Sequence, residues 1–380
     1  MLIQKLKMIR LTTSICVVSI PLVVVFMLLS ARGEPQKTVL SEELQDLIRE
    51  IEQNEALYNT LKLNLTTSNS EEGILFHKDE PEPKPVQSES EISLVAQGLK
   101  FRQEIQSKGR FIVLVSGFGS GEARRNIGNA NYTEVGTKEF IFVFDGTTSR
   151  HFGAGDVVAE RQGNQPQKSS IGGISNAPLR LPNFARPHMF VLRYGGAHVP
   201  LSTYLKGIKA IGEFRGAPLP NLREGAVLKA QILGTEECQG LKCTKLMIEI
   251  VNPGGTPRSR RELWLAHDRN LIPVKDLFYI YSYSKEIPVA EAIIDEWQEV
   301  RPGVWFPLQA HSNRFNSFLA KHEGRQKRTQ HVKYDFHSIQ LDPKIPPNEF
   351  SSLKFPPGTK VKIREDGKII KTIDAEANEL

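Results

Sequence analysis

The sequence predicts a mainly β protein that opens with one long helix. Three observations carry this. From residue 226 onward strand-like runs alternate with short turns, a pattern of consecutive antiparallel pairing and not of strands joined by helical crossovers. Residues 41–58 have helical apolar spacing. The composition, with 39% hydrophobic and 24% charged residues over 380 positions, is that of a globular chain, which excludes collagen-like, low-complexity and wholly disordered readings.

The elements follow in order. Residues 1–33 carry Lys5, Lys7 and Arg10, an apolar run over 15–29, and the small-x-small triplet Ala31-Arg32-Gly33. This is the pattern of a secretory signal with cleavage at Ala31/Gly33. An uncleaved anchor is the alternative, because counting residues 11–14 brings the run near the roughly 20 residues that span a bilayer. Either way the bulk of the chain is expected outside the cytoplasm, in the periplasm or cell envelope. The net charge of +6 drops to 45 basic against 43 acidic residues without this segment, so a strongly basic nucleic-acid binder is not indicated.

Ser41 is placed to cap the helix, with Glu42 and Glu43 in its first turn and Leu44, Leu47, Ile48, Ile51 and Leu57 on one face. Residues 61–67 alternate like a strand, completing an N-terminal unit over 34–67. Residues 68–90 are acidic and hold Pro81, Pro83 and Pro85, as a linker would. A sheet domain is expected over 91–358. Its strand candidates are 92–105, 110–117, 138–146, 226–234, 243–251, 261–266, 274–283, 289–300, 304–313 and 330–341, punctuated by turn signals such as Lys108-Gly109, Asp145-Gly146 and Gln239-Gly240. A second helix is expected over 201–211. Residues 147–185, rich in Gly, Asn and Gln, read as an irregular insertion. Residues 359–380 read as a hairpin about Asp366-Gly367 and a tail.

Two cysteines follow the signal, Cys238 and Cys243. They flank a turn between strand-like runs, so an oxidising compartment predicts a disulfide, with two free buried thiols as the alternative. The run Gly117-Phe-Gly119-Ser-Gly121 lacks the spacing of a nucleotide loop and reads as a turn. The nine histidines form no zinc motif, no nucleophile elbow is present, and Asp295-Glu296 would need partners from other strands. No catalytic residue, metal or cofactor is therefore expected. The basic clusters Arg258-Ser-Arg-Arg261 and residues 321–333 read as solvated hairpin tips, or as contacts for an anionic surface. Asn64-Leu-Thr66 and Asn131-Tyr-Thr133 match the glycosylation triplet. Large apolar groups gather at Trp264, Phe278, Ile280, Trp305 and Phe306. They read as core, or as the lining of an apolar cavity.

The strand-turn-strand phrases over residues 263–274 and 297–307, the closing stretch 353–361 and the leading helix together resemble the LolA-like lipoprotein-carrier superfamily of bacterial exported proteins. The resemblance implies a strongly curved antiparallel sheet, an open half-barrel, wrapped over one or two helices. It also implies a non-enzymatic role: holding a lipid or lipoprotein acyl chain, or a similar apolar or amphipathic envelope ligand. The alternatives are an envelope sensor whose cavity is filled by its own side chains and which meets a membrane-surface or protein partner, and a secreted hydrolase.

Overall fold

The computed structural model of the protein describes residues 40–71, 85–113, 132–159, 166–193, 198–215, 222 and 224–375. The signal candidate with Ala31 and Gly33, the glycine run at 117–121 and Asn131 lie outside the described residues.

α1 (Glu42–Ala56) starts where the sequence places it. Ser41 keeps extended backbone, and its Oγ accepts a hydrogen bond from the Leu44 amide at 3.3 Å. That satisfies one of the amides a helix start leaves unpaired. The buried stripe is Leu44, Leu47, Ile48 and Ile51.

Six strands then form a first antiparallel meander: β1 (Thr60–Glu71), β2 (Val86–Gln97), β3 (Lys100–Val113), β4 (Tyr132–Phe144), β5 (Ser149–Ala159) and β6 (Pro166–Ser175). A crossing segment follows, made of two 3-10 turns (Asn183–Ala185, Val191–Arg193), α2 (Pro187–Phe190), α3 (Leu201–Leu205) and α4 (Ile208–Arg215). The second meander runs through β7 (Val227–Cys238), β8 (Leu241–Val251), β9 (Pro257–Ala266), β10 (Pro273–Ile280), β11 (Ala290–Arg301), β12 (Val304–Phe315), α5 (Ser317–His322) and β13 (Arg328–Leu341). β13 returns to pair with β1, so the two meanders fuse into one sheet. β14 (Lys360–Glu365) then joins β6 in parallel and carries β15 (Lys368–Asp374) as an edge. Among the described residues the result is a single open sheet of fifteen strands that does not close into a barrel.

The sheet is strongly curved. From β4 round to β7, eleven strands would lie across about 50 Å if flat, at roughly 4.8 Å per strand. α1 is about 22 Å long at about 1.5 Å per residue. Yet Phe144 of β4, Leu63 of β1, Phe306 of β12 and Leu228 of β7 share one buried core with Leu47 and Ile51 of α1. Only a sheet bent around the helix layer allows this. The face that meets α1 is called inner below.

Two glycines mark the sharpest distortion. Gly109 of β3 stands directly opposite Gly136 of β4, with φ of 131° and 154°. A Cβ at Gly109 would lie 2.4 Å from the Gln87 carbonyl oxygen, and one at Gly136 2.2 Å from that of Asp156. Glycine inside a strand therefore serves here to bend the sheet.

Several expectations change. The insertion over 147–185 is largely strand, as β5 and β6. Its glycines make room for neighbours: a Cβ on Gly172 would lie 2.6 Å from the Phe355 ring. Phe355 and Leu353 belong to the segment after β13, which crosses the outer face and packs on Val143, Phe152 and Val361. The single strand over 92–105 is two strands, turning at Gly98 with φ of 58°. Lys108-Gly109 lies within β3 and is no turn. The linker over 68–90 is strand at both ends, through Glu71 and from Val86. The second helix is two short ones, parted at Gly207 with φ of 101°. Arg261 is no solvated charge: it is buried and pairs with buried Asp276 at 3.1 Å. Burial pushes the Asp276 carboxyl up to about 7 against the pull of that guanidinium.

Replacing Gly136 with alanine is expected to destabilise the protein by about 2 kcal/mol or more, because both φ and the Asp156 carbonyl oppose a side chain. Urea unfolding checks this. An unchanged midpoint would show that β4 does not need the bend.

Candidate functional site

Along the inner face, the rows of side chains change character. Phe336, Leu65, Ile92, Ile105 and Phe140 stand abreast on β13, β1, β2, β3 and β4. Two residues further along each strand, the row reads Tyr334, Thr67, Ser90, Ser107 and Lys138. The next is Val332, Asn69, Ser88, Gly109 and Gly136. Gln330, Glu71 and Val86 close the far end, with Phe111 opposite Glu134. The first row is core. The two middle rows are mostly small side chains, and small side chains leave volume.

The crossing segment roofs that volume with Leu181, Pro182, Asn183, Phe184 and Phe190. The cavity between roof and sheet measures about 720 Å³, within the range of roughly 300–1,000 Å³ usual for small-ligand sites. Its inner end is apolar and ordered by aromatic packing: the Phe190 ring meets Tyr334 edge-on at 4.9 Å and Phe336 at 5.7 Å. Its outer end is polar. Gln330 Nε2 donates to Asn69 Oδ1 at 2.9 Å and Glu71 Oε1 at 2.7 Å. Lys138 Nζ pairs with Glu134 at 2.9 Å and lies 4.6 Å from the centre of the Phe111 ring. Burial raises the pKa of the Glu71 carboxyl, with the Arg314 charge opposing. Ser90 and Ser107 bond each other at 2.8 Å, which uses one of their two hydroxyl hydrogens and leaves the other to donate.

Two buried charges pin the roof. Glu55, at the end of α1, accepts from the Leu201 amide at 2.6 Å and from the Ser202 hydroxyl, at the start of α3. Arg186 donates to the carbonyls of Asn59 and Gly98, both at 3.0 Å, and to that of Ala185 at 2.8 Å. Burial pushes Glu55 up to about 7 against these hydrogen bonds and the Arg186 charge. Burial also brings Arg186 down to about 10, opposed by Glu55. His188 is fully buried and its pKa falls to about 4, so the ring is neutral and donates from Nε2 to the Asn270 carbonyl at 2.7 Å. Asn270 sits at φ 55°. Its side chain also accepts from the Trp305 amide at 2.9 Å and donates to the Gly303 carbonyl at 3.0 Å. The roof is thereby tied to the β9–β10 and β11–β12 turns.

The five large residues singled out in the sequence lie elsewhere. Phe306 is core, packed on Tyr58 and Phe336. Trp264 belongs to an outer-face cluster with Cys243 and Val274, its indole bonded to Glu236. Trp305 lies under Arg269 at 3.7 Å. Phe278 sits 5.2 Å from Arg261, and Ile280 is half-buried near the end of β10. None of the five lines the cavity. Cys238 and Cys243 are free thiols, which corrects the expected disulfide. The register sets Cys238 against Leu241 and Glu236 against Cys243. The two are therefore diagonal neighbours across the hairpin. Burial, foremost, pushes the Cys243 thiol up to about 12.

The outer face holds a larger groove of about 930 Å³ across β13 and β1–β6. Charged and hydroxyl side chains line it, among them the pairs Lys108–Glu89 at 3.2 Å and Lys168–Asp156 at 3.5 Å. It offers no apolar floor. Also on the outer face, His311 Nδ1 meets Asp295 at 2.8 Å, and its ring lies 5.7 Å from that of His331. Among the described residues no group of three or more His, Cys, Asp or Glu side chains is arranged to hold a metal ion.

No protein-family model matches the chain, and no curated protein matches it. Among solved structures it is similar to a DUF1329 family protein from Desulfovibrio piger, at TM-score 0.36 and 11% identity over 82% of this chain and 96% of that one. It is also similar to a putative outer membrane lipoprotein-sorting protein domain from Vibrio parahaemolyticus, at TM-score 0.33 and 7% identity over 80% and 95%. A third likeness is to a porin-like protein from Bacteroides uniformis, at TM-score 0.20 and 5% identity over 72% and 97%.

The Glu55 pin has a pH signature. Folding raises its pKa, so the folded state holds that proton more tightly and stability falls as pH rises from about 5 through about 7. Glu55→Gln removes this dependence while keeping an acceptor. Its stability relative to the parent is expected to improve by on the order of 1–3 kcal/mol between pH 5 and pH 8. Urea unfolding of both proteins at the two pH values measures the change; a constant difference would show that Glu55 titrates normally.

Proposed function

We propose that this is an exported, non-enzymatic envelope protein that holds the acyl chain of a lipid or lipoprotein in its inner cavity. The observation that carries the reading is the graded lining, apolar at Ile92, Phe140, Phe190 and Tyr334 and polar at Glu71, Lys138 and Gln330. A gradient of this kind suits a ligand with an apolar body and a polar head. Each buried methylene gains about 0.8 kcal/mol, so ten of them supply about 8 kcal/mol, the free energy of micromolar binding. No catalytic group is needed for such a role. Export is supported by the basic, apolar and small-x-small order of residues 1–33.

A sensor is the second reading, favoured by one observation. α1 already fills much of the concave face with Leu44, Leu47, Ile48 and Ile51, as in a module whose cavity is occupied by its own chain.

Native mass spectrometry of the protein purified from an oxidising compartment, followed by organic extraction, separates the two. The expected result is a lipid that stays bound under native conditions and leaves on denaturation. Ser88→Trp, which fills the middle of the cavity from a half-buried position, is expected to lower occupancy about tenfold, or about 1.4 kcal/mol, with the unfolding temperature preserved. A protein that arrives empty and takes up no added lipid, with or without that substitution, would end the acyl-binding reading in favour of the sensor.

A further inference from the structure

We infer that the headgroup held at the polar end of the cavity is anionic, a carboxylate or a phosphate. This rests on the acyl-binding reading and adds the chemistry of the ligand's other end. Three cationic residues, Arg110, Lys138 and Arg180, border the cavity, where the carboxylates are Glu71 and the Glu134 already paired with Lys138; Arg110 also donates to the Pro85 carbonyl at 3.5 Å. Their places along the strands matter as much as their number. The apolar end is set by Phe140 and Ile92 with Phe190 above them. Lys138 is two residues beyond Phe140 on β4, about 7 Å further at roughly 3.3 Å per residue. Arg110, on β3 beside Phe111, lies further in the same direction. Arg180 stands exposed in the irregular stretch between β6 and the first 3-10 turn. A chain whose methyl end rests on Phe190 thus delivers its head among these cations.

The opposing carboxylates are already engaged. Glu71 accepts from Gln330 at 2.7 Å, and burial disfavours its charge. Glu134 is committed to Lys138 at 2.9 Å, but an ammonium has three donors and can serve a second oxygen. A cationic head would find the carboxylates at this end already engaged, Glu71 by Gln330 and Glu134 by Lys138. A neutral head could accept from these cations but would bring no opposite charge, and so would forgo the shorter, stronger N⁺–H···O⁻ contact an anionic head makes.

The test compares three probes on the purified protein by titration calorimetry, with the amphiphiles below their micelle concentrations: dodecyl phosphate, dodecyl maltoside and inorganic phosphate. Dodecyl phosphate is expected to bind about tenfold more tightly than dodecyl maltoside, with inorganic phosphate far weaker than either. Arg180→Gln is expected to narrow the gap between the two amphiphiles by about threefold, in keeping with a solvent-exposed ion pair, and added salt to narrow it as well. Equal binding of the two amphiphiles overturns the headgroup inference and leaves acyl binding standing. Inorganic phosphate binding as tightly as dodecyl phosphate also overturns it, since the cations would then form an anion site with no link to the apolar end. Failure of both amphiphiles to bind removes the acyl-binding reading, and this inference falls with it.

Discussion

Burial of the apolar stripe of α1 sets the position of every other layer, and its limits create the site. A helix of about 22 Å cannot cover strands of twelve to fourteen residues, which reach about 40–46 Å. Where Leu44, Leu47, Ile48 and Ile51 reach, the inner rows are Leu, Ile and Phe, and the space is filled. Beyond that reach the rows turn to Ser, Thr, Asn and Gly, and a second cover is needed. The crossing segment provides it, but as short turns and helices laid over small side chains. A filled core and an open cavity are thus two stretches of one sheet face, divided by where the helix ends.

That second cover depends on polar contacts more than on bulk. Glu55 and Arg186 are both buried and both perturbed by burial. Removing such charges from water costs free energy that hydrogen bonds only partly return. In exchange their geometry is directional. Arg186 grips the Asn59 carbonyl between α1 and β1 and the Gly98 carbonyl at the β2–β3 turn, and Glu55 grips the first amides of α3. Apolar packing alone would let the roof slide over the small side chains beneath it. These contacts hold it at one height.

Much of the fold was legible in the sequence, and the reasons are local. Ser41 and the spacing of Leu44, Leu47, Ile48 and Ile51 encode α1 without help from the rest of the chain. The second meander shows because its turns carry strong signals, as at Gln239-Gly240, where φ is positive at both positions. β5 and β6 were hidden because Gly153, Gly172 and Gly173 look like loop residues, and their reason for being glycine lies in distant side chains, Phe140, Phe355 and His151. The cavity was hidden for a related cause. Aromatic residues such as Trp264 and Trp305 draw the eye, whereas volume is made by Ser88, Ser90, Ser107 and Thr67. One local signal was present. From Val86 to Ile92, small or apolar residues alternate with Gln87, Glu89 and Glu91, which marks a strand facing a sheltered space on one side and water on the other.

The fusion of the two meanders has a kinetic consequence. β1 is among the first strands to be made, and on one side its partner is β13, with Leu61 opposite Leu341. Until nearly the whole chain has emerged, that side of β1 is a row of unpaired amides and carbonyls flanked by Leu61, Leu63 and Leu65. Pairings so distant in sequence close slowly, because the intervening chain must be ordered before the contact forms. A strand left waiting in this way is also a template for the wrong neighbour. The nascent protein therefore has a long window in which its earliest strand must be shielded, and the arrival of β13 is the event that ends it.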